Sequence, residues 1–369
     1  MSYAYGNRLR LTVDGGSHDP EMKMTLRGFP AETAIDTDAL LTLMRRRAPG
    51  NAVFATARKE SDVPHFLSGI TDGVTSGDVI TAVIYNENQR SGDYEALKDT
   101  PRPSHADYAA VMKYGKGVDL RGGGHFSGRL TSLITVAGGL CLQYLRARGI
   151  RVFAHILSVG GVSDTPFPFD CVGESEESTL CGREFPTLSD TAEAEMRRVI
   201  AETKADGDSV GGVIECAVTG LPAGLGEHMF FSVEAALSSI LFAIPAVKGV
   251  SFGAGFDSAR MRGSENNDPF RIRDGRVFIE QNNAGGILGG MTSGAPLITR
   301  CAVKPTPSIA KPQTTVSLST MTETEIRVGG RHDPCILPRA VPVVEAAVAI
   351  AILDLILSEG STNGTEENA

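Results

Sequence analysis

Between Val341 and Leu357 the chain reads VPVVEAAVAIAILDLIL, its most apolar stretch. A helix that is apolar on every side must be surrounded, by lipid or by the rest of the protein. This one carries Glu345 and Asp354 and, at these bounds, falls short of the ~20 residues a bilayer crossing needs. It is expected to be a buried helix in a soluble core. The chain has 369 residues, enough to enclose such a helix, and its length allows two or three domains or one large α/β unit.

The segments around it supply the layers. NRLRLTV, MKMTLRGF and DVITAVIYN alternate or are β-branched and read as strands, as do GGVIECAVTG and VKGVSFGAGF. DTDALLTLMRRRA reads as a helix with an Asp cap, and GRLTSLITVAGGLCLQYLRARG as a long helix stopped by basic residues and glycine. SDTAEAEMRRVIAETKADGD is an exposed amphipathic helix capped by Asp or Thr, and SVEAALSSILFAIPAV a buried one. Paired strands around long helices predict an α/β fold of the α+β type, with antiparallel pairing.

A net charge of −9 argues against a nucleic-acid partner, so any anionic ligand has to be met by a local cluster of cations. The six cysteines form no C-x-x-C pair and are expected to be reduced, buried thiols, which suits a cytoplasmic protein. The N-terminus has no apolar segment of the kind a secretory signal carries. Neither G-x-G-x-x-G after a strand nor G-x-x-x-x-G-K-[ST] occurs, and no metal-ligand spacing is found.

Four places concentrate chemistry. GGSHDP holds Ser17 and His18, and RPSHADYAAVMKYGKGVDLRGGGHFSGRLTS holds Arg102, His105, three successive glycines, Ser127 and Arg129. The glycine-rich NNAGGILGGMTSGAP is followed by KPTPSIAKPQ, and GRHDPCILPR contributes Arg331, Asp333 and Arg339. A basic run, Arg45–Arg47, adds charge. Each has a plain alternative: a loop histidine is usually structural, a basic run at a helix end a solvated face, and Asp before Pro a turn. His65, His155 and His228 sit in no such group. Together, however, bidentate guanidiniums, close-approaching backbone amides and a group that titrates near neutrality describe a site for an anion with proton chemistry.

Four long segments, in order, carry a resemblance. RPSHADYAAVMKYG, IPAVKGVSFGAGFDSARMRGSENNDPF, NNAGGILGGMTSGAPLITRCAVKPTPSI and GRHDPCILPRAVPVVEA are similar to signature segments of the chorismate synthase family. The resemblance implies one domain over residues 1–358, with a polar tail at 359–369, and a β-α-β sandwich with helices between antiparallel sheets. It implies a homotetramer. It also implies a lyase of the shikimate pathway of aromatic amino acid biosynthesis: 1,4-anti elimination of phosphate from 5-enolpyruvylshikimate 3-phosphate gives chorismate, with reduced FMN and no net redox change.

By the same resemblance His18 protonates phosphate and His105 serves reduced FMN, or the reverse. Asp333 helps take the ring proton, and Ser17 and Ser127 keep that aspartate and the flavin in order. Arg46, Arg102, Arg129 and Arg331 form the substrate clamp. His125, Phe126, Ser127, Pro245, Ala246, Gly289, Lys304, Pro305, Thr306, Pro307, Ser308 and Arg331 are the FMN contacts. The family's usual Gly-Glu-Ser-His-Gly is here Gly15-Gly16-Ser17-His18-Asp19, and Asp19 would raise the His18 pKa if the two approach. His125 replaces an FMN-contacting arginine. Val53 stands where many members have an arginine assigned to NADP, although Arg58 and Lys59 follow, which implies an external source of reduced flavin. The rival expectation is a non-catalytic flavin-binding homologue serving as an oligomeric scaffold.

Overall fold

In Glu21–Arg27 every second residue, Met22, Met24 and Leu26, is fully buried while Glu21, Lys23 and Arg27 face out. That period of two is what a strand with one covered face requires. The computed structural model describes residues 3–48, 61–86, 98–329 and 333–359. The chain opens with β1 (Tyr3–Tyr5), β2 (Arg10–Asp14), β3 (Glu21–Arg27) and α1 (Thr37–Arg47), then β4 (His65–Ser68), β5 (Ile70–Thr71), β6 (Val74–Thr75) and β7 (Ile80–Tyr85). Next come α2 (Asp107–Tyr114), α3 (Thr131–Arg146), β8 (Arg151–Val159), β9 (Val162–Ser163), α4 (Glu174–Leu180), α5 (Asp190–Ala205) and β10 (Gly212–Thr219). They lead to α6 (Val233–Ala243), β11 (Val247–Phe252) and α7 (Gly263–Asn266). The small hairpins β12–β13 (Phe270–Arg273, Arg276–Ile279) and β14–β15 (Ile287–Leu288, Met291–Thr292) follow. Last are β16 (Leu297–Val303), β17 (Gln313–Ser317), β18 (Thr322–Ile326) and α8 (Leu337–Glu359).

Two five-stranded antiparallel sheets result, ordered β1-β2-β3-β7-β4 and β11-β16-β10-β8-β9. Between them α3 lies on β2 and β3, α8 lies on β8 and β10, and the two helices pack on each other. This is the expected β-α-β sandwich. One apolar cluster runs through both sheets and the helices between them.

α8 is longer than VPVVEAAVAIAILDLIL suggests, because Pro338 and Pro342 fall inside its first turns rather than before it. At 23 residues it is long and apolar enough to cross a membrane, so the argument from length does not hold. What identifies it is burial: from Val341 to Leu353 the side chains are enclosed by protein. Of its three carboxylates, Glu359 accepts the Gly226 amide at 2.7 Å. Glu345 pairs with Arg46, and Asp354 accepts the backbone amides of Asn7, Arg8 and Leu9 at 2.8–3.1 Å.

At the start of α1 the Asp36 side chain accepts the Ala39 amide at 2.9 Å, as its position in the sequence predicts. Asp36→Ala should lower stability by about 1 kcal/mol, read by chemical denaturation; no change would mean that another group caps the helix. α5 departs from expectation, since Ser189 caps it rather than Asp or Thr. α6 is only partly buried, with Phe242 half exposed. Of the six cysteines, Cys171 and Cys181 are exposed rather than buried.

His155 agrees with its plain reading as a structural histidine. It is fully buried on the outer face of the second sheet, with Nδ1 3.0 Å from Asp164 and Nε2 3.0 Å from Glu215. Burial alone would lower its pKa, but the hydrogen bonds to the two carboxylates outweigh that and raise it. Asp164 in turn accepts the amides of Leu188 and Ser189, and Glu215 that of Phe167. This clasp holds the segment with α4 over the sheet, where Leu180, Val172 and Phe167 pack on Phe153.

Candidate active site

The three successive glycines lie in a tight turn, 121–126, with φ of +57° at Gly122 and +92° at Gly123. L side chains rarely adopt such angles. Space matters as much. A Cβ on Gly122 would fall 2.2 Å from His18 Cε1 and 2.6 Å from Ser17 Oγ; one on Gly123 would lie 3.8 Å from His105 Nε2 and 3.4 Å from Ser127 Cβ. Neighbouring Cα atoms are about 3.8 Å apart, so these contacts put the two imidazoles at most about 13 Å from each other. The Ser17 amide donates to Gly124 O at 3.2 Å and fixes the first loop on the glycine turn. Ser17 Oγ is buried without a hydrogen-bond partner among the described residues.

His105 stands on a short loop before α2, braced from below. Its Nδ1 is 2.5 Å from Asp107 Oδ1, and Arg102 grips the same carboxylate through Nε and a terminal nitrogen at 2.7 and 2.8 Å. Burial alone would raise the Asp107 carboxyl, but the hydrogen bonds from Arg102 and His105 hold it far below the usual range. Arg102, Ser104, His105, Tyr108, Thr314 and Thr315 line a cavity of about 410 Å³. Another hollow of about 420 Å³ is walled by Glu202, Asp206 and Asp208, the wrong charge for an anionic ligand.

The segment 304–308 connects this loop to Asp333. The Lys304 amide donates to Ala246 O and its Nζ to Ser104 O; Ser308 Oγ accepts from Arg102 at 3.2 Å. Thr306 Oγ1 donates to the Asp333 carbonyl at 2.7 Å. Burial, with Lys248 nearby, lowers the Lys304 pKa.

A second chain of contacts reaches Asp333 from the His18 side. Asn86 donates to Asp19 O and Gly16 O and accepts from Arg129 Nε at 2.6 Å. Asp62, only 1% exposed, is shared by Arg129 at 2.7 Å and Arg47 at 2.5 Å. Arg339 donates to Arg47 O and pairs with the Asp333 carboxylate. Three guanidiniums thus share two carboxylates. Burial, then the like charges of Arg339 and Arg129 against the pull of Asp62, brings Arg47 down to about 10.

The histidines, Arg102, Arg129, Asp333 and the segment 304–308 therefore sit in one connected region. Arg46 does not. Successive helical residues point about 100° apart, and Arg46 is turned to Glu345 at 2.7 and 3.0 Å while Arg47 enters the site. The sequence held the clue: Leu40, Leu43, Met44 and Arg47 share the buried stripe of α1. Gly289 lies at the tip of β14–β15, whose next residue, Gly290, rests on Glu227 and Ser232. Earlier in the same loop, Asn282 donates to Phe169 O and Pro296 O.

Ser127 accepts the Arg129 amide at 3.3 Å and caps the turn before α3; it makes no bond to Asp333 among the described residues. His125 turns its Nδ1 to Gly15 O at 2.8 Å, and Phe126 packs beside Tyr114. The Asp19 carboxylate folds back on Gly16, 3.2 Å from where a Cβ would stand. Pro245 precedes Ala246, whose φ is +76°. Val53, Arg58, Lys59, Arg331 and the tail at 360–369 lie outside the described residues. Asp62, Asn86 and Asp107 escape a reading of motifs because each looks like an ordinary polar loop or helix-start residue.

The chorismate synthase family model matches residues 9–357. The chorismate synthase of Lancefieldella parvula is 41% identical over 97% of this chain and 97% of its own length. That of Methanosarcina acetivorans is 44% identical over 97% of each. A crystal structure of chorismate synthase superposes with a TM-score of 0.76 at 26% identity, covering 96% of this chain and 93% of the other. The chain belongs to the chorismate synthase family.

Proposed function

We propose that this chain converts 5-enolpyruvylshikimate 3-phosphate to chorismate by 1,4-anti elimination, with reduced FMN bound beside the substrate. The observation that carries the reading is the Gly122–Gly123 step, bare backbone with His18 and Ser17 on one side and His105 on the other. The two glycines let both histidines approach one turn, and the buried Ser17 Oγ has bonding capacity to offer a ligand. Lys304 and Ser308 supply a cation and a hydroxyl for a phosphate, and the segment 304–308 with Ala246 would hold the flavin. Reduced FMN supplies the electron density that makes C–O cleavage feasible and is unchanged after turnover.

The chain's own groups do the rest. Arg129, Arg47 and Arg339 face the carboxylates and phosphate of the substrate. His18 gives the departing phosphate a proton, His105 keeps a proton at the flavin, and Asp333 ends with the proton lost from the ring. Association between copies is supported by the successive exposed side chains Met229, Phe230 and Phe231, and four chains is the number the family resemblance implies. A single domain over 1–358, a cytoplasmic setting and an external flavin reductant complete the reading.

The test is anaerobic incubation with chemically reduced FMN and the enolpyruvyl substrate. Chorismate and phosphate should appear in equal amounts. Flavin binding without product would instead establish the scaffold alternative. NADPH with oxidised FMN should not sustain turnover; if it does, flavin reduction is intrinsic.

A further inference from the structure

We infer that Asp107 is a positioning residue that fixes the proton of His105 on Nδ1 and so makes Nε2 the atom that exchanges protons in the cavity. The inference rests on the reading above. Asp107 is fully buried, and its Oδ1 stands 2.5 Å from His105 Nδ1. Two atoms presenting lone pairs at that distance would repel, so one must carry a hydrogen. The carboxylate is not that one: Arg102 donates to it from Nε, from a terminal nitrogen and from its backbone amide, which favours the anion. The proton therefore sits on Nδ1.

A terminal nitrogen of Arg102 also lies 3.0 Å from Nδ1. Guanidinium can only donate, and a protonated Nδ1 does the same, so Arg102 acts on His105 through Asp107. A simpler role for Asp107, as the acid at the start of α2, would have it accept the first amides of the helix. It does not; α2 has no side-chain cap, and both Asp107 oxygens turn to Arg102 and His105. With Nδ1 committed, Nε2 is the ring atom aimed across Gly123. It accepts a proton when the ring is neutral and donates one when the ring is charged.

Two measurements test this. In the wild-type protein, 15N NMR of labelled histidine, with the His105 signal assigned by its loss in His105→Gln, should show the Nδ1–H tautomer in the neutral ring. Finding Nε2–H there overturns the inference and leaves the proposed reaction untouched. In Asp107→Asn, kcat should fall about 10- to 100-fold with KM changed less than threefold. The same 15N measurement on Asp107→Asn should show the preference for Nδ1–H at His105 weakened or lost. An unchanged tautomer, or an effect on KM alone, would show that Asp107 merely supports Arg102. If wild-type enzyme makes no chorismate, the reaction is wrong, while the tautomer remains readable.

Discussion

Gly122→Ala should be as damaging to turnover as His18→Ala, each lowering kcat by about 10²- to 10⁴-fold, the usual worth of a positioned acid–base group. The added methyl would enter at 2.2 Å from His18 Cε1 and 2.4 Å from Nδ1, inside any real contact distance, on backbone that already has φ of +57°. Either the imidazole swings away or the turn opens, and both separate His18 from the rest of the site. Displacements of ~1 Å are enough to cost two orders of magnitude. Gly128→Ala is the control, because a Cβ there meets nothing within 4 Å; it should keep most of its activity. Thermal melts of both variants separate misfolding from misplacement. Full activity in Gly122→Ala would show that His18 does not work from where it stands.

The fold was legible where a single local rule decides. The alternation of Met22, Met24 and Leu26 marks β3, and Asp36 marks the start of α1. β8 and β16 give no such signal: Phe153, Ala154, His155 and Ile156 are buried in succession, as are Leu297, Ile298 and Thr299, so neither shows a period of two. The site was legible in its types of residue and less so in its geometry. A run of three arginines does not announce which member points inward until the buried stripe of α1 is laid out. His155 looked idle because its partners, Asp164 and Glu215, are 9 and 60 positions away. Asp107 was hidden in plain view, since an acid at a helix start already has a sufficient explanation.

Asp62→Asn should cost about 3–5 kcal/mol of stability, because it leaves buried guanidiniums without the carboxylate they share. Arg47 and Arg129 both bond Asp62, and Arg339 adds a third like charge beside Arg47. The acid dependence follows from the same contacts. Burial alone would raise the Asp62 carboxyl, but Arg47 and then Arg129 bring it below its ordinary value. A depressed folded-state pKa contributes stability above the unfolded value of about 3.9, and that contribution disappears as pH falls through the folded value. Urea denaturation from pH 7 downward should therefore show a shallower decline for Asp62→Asn than for wild type. The variant also reports what the cluster is for. If these guanidiniums face the cavity that receives phosphate and carboxylates, removing their counter-charge leaves a site hungry for anions. Inorganic phosphate should then raise the melting temperature of Asp62→Asn by more than it raises that of wild type. Equal shifts would mean that the three arginines serve only one another and the fold, and the substrate anions would have to be held elsewhere.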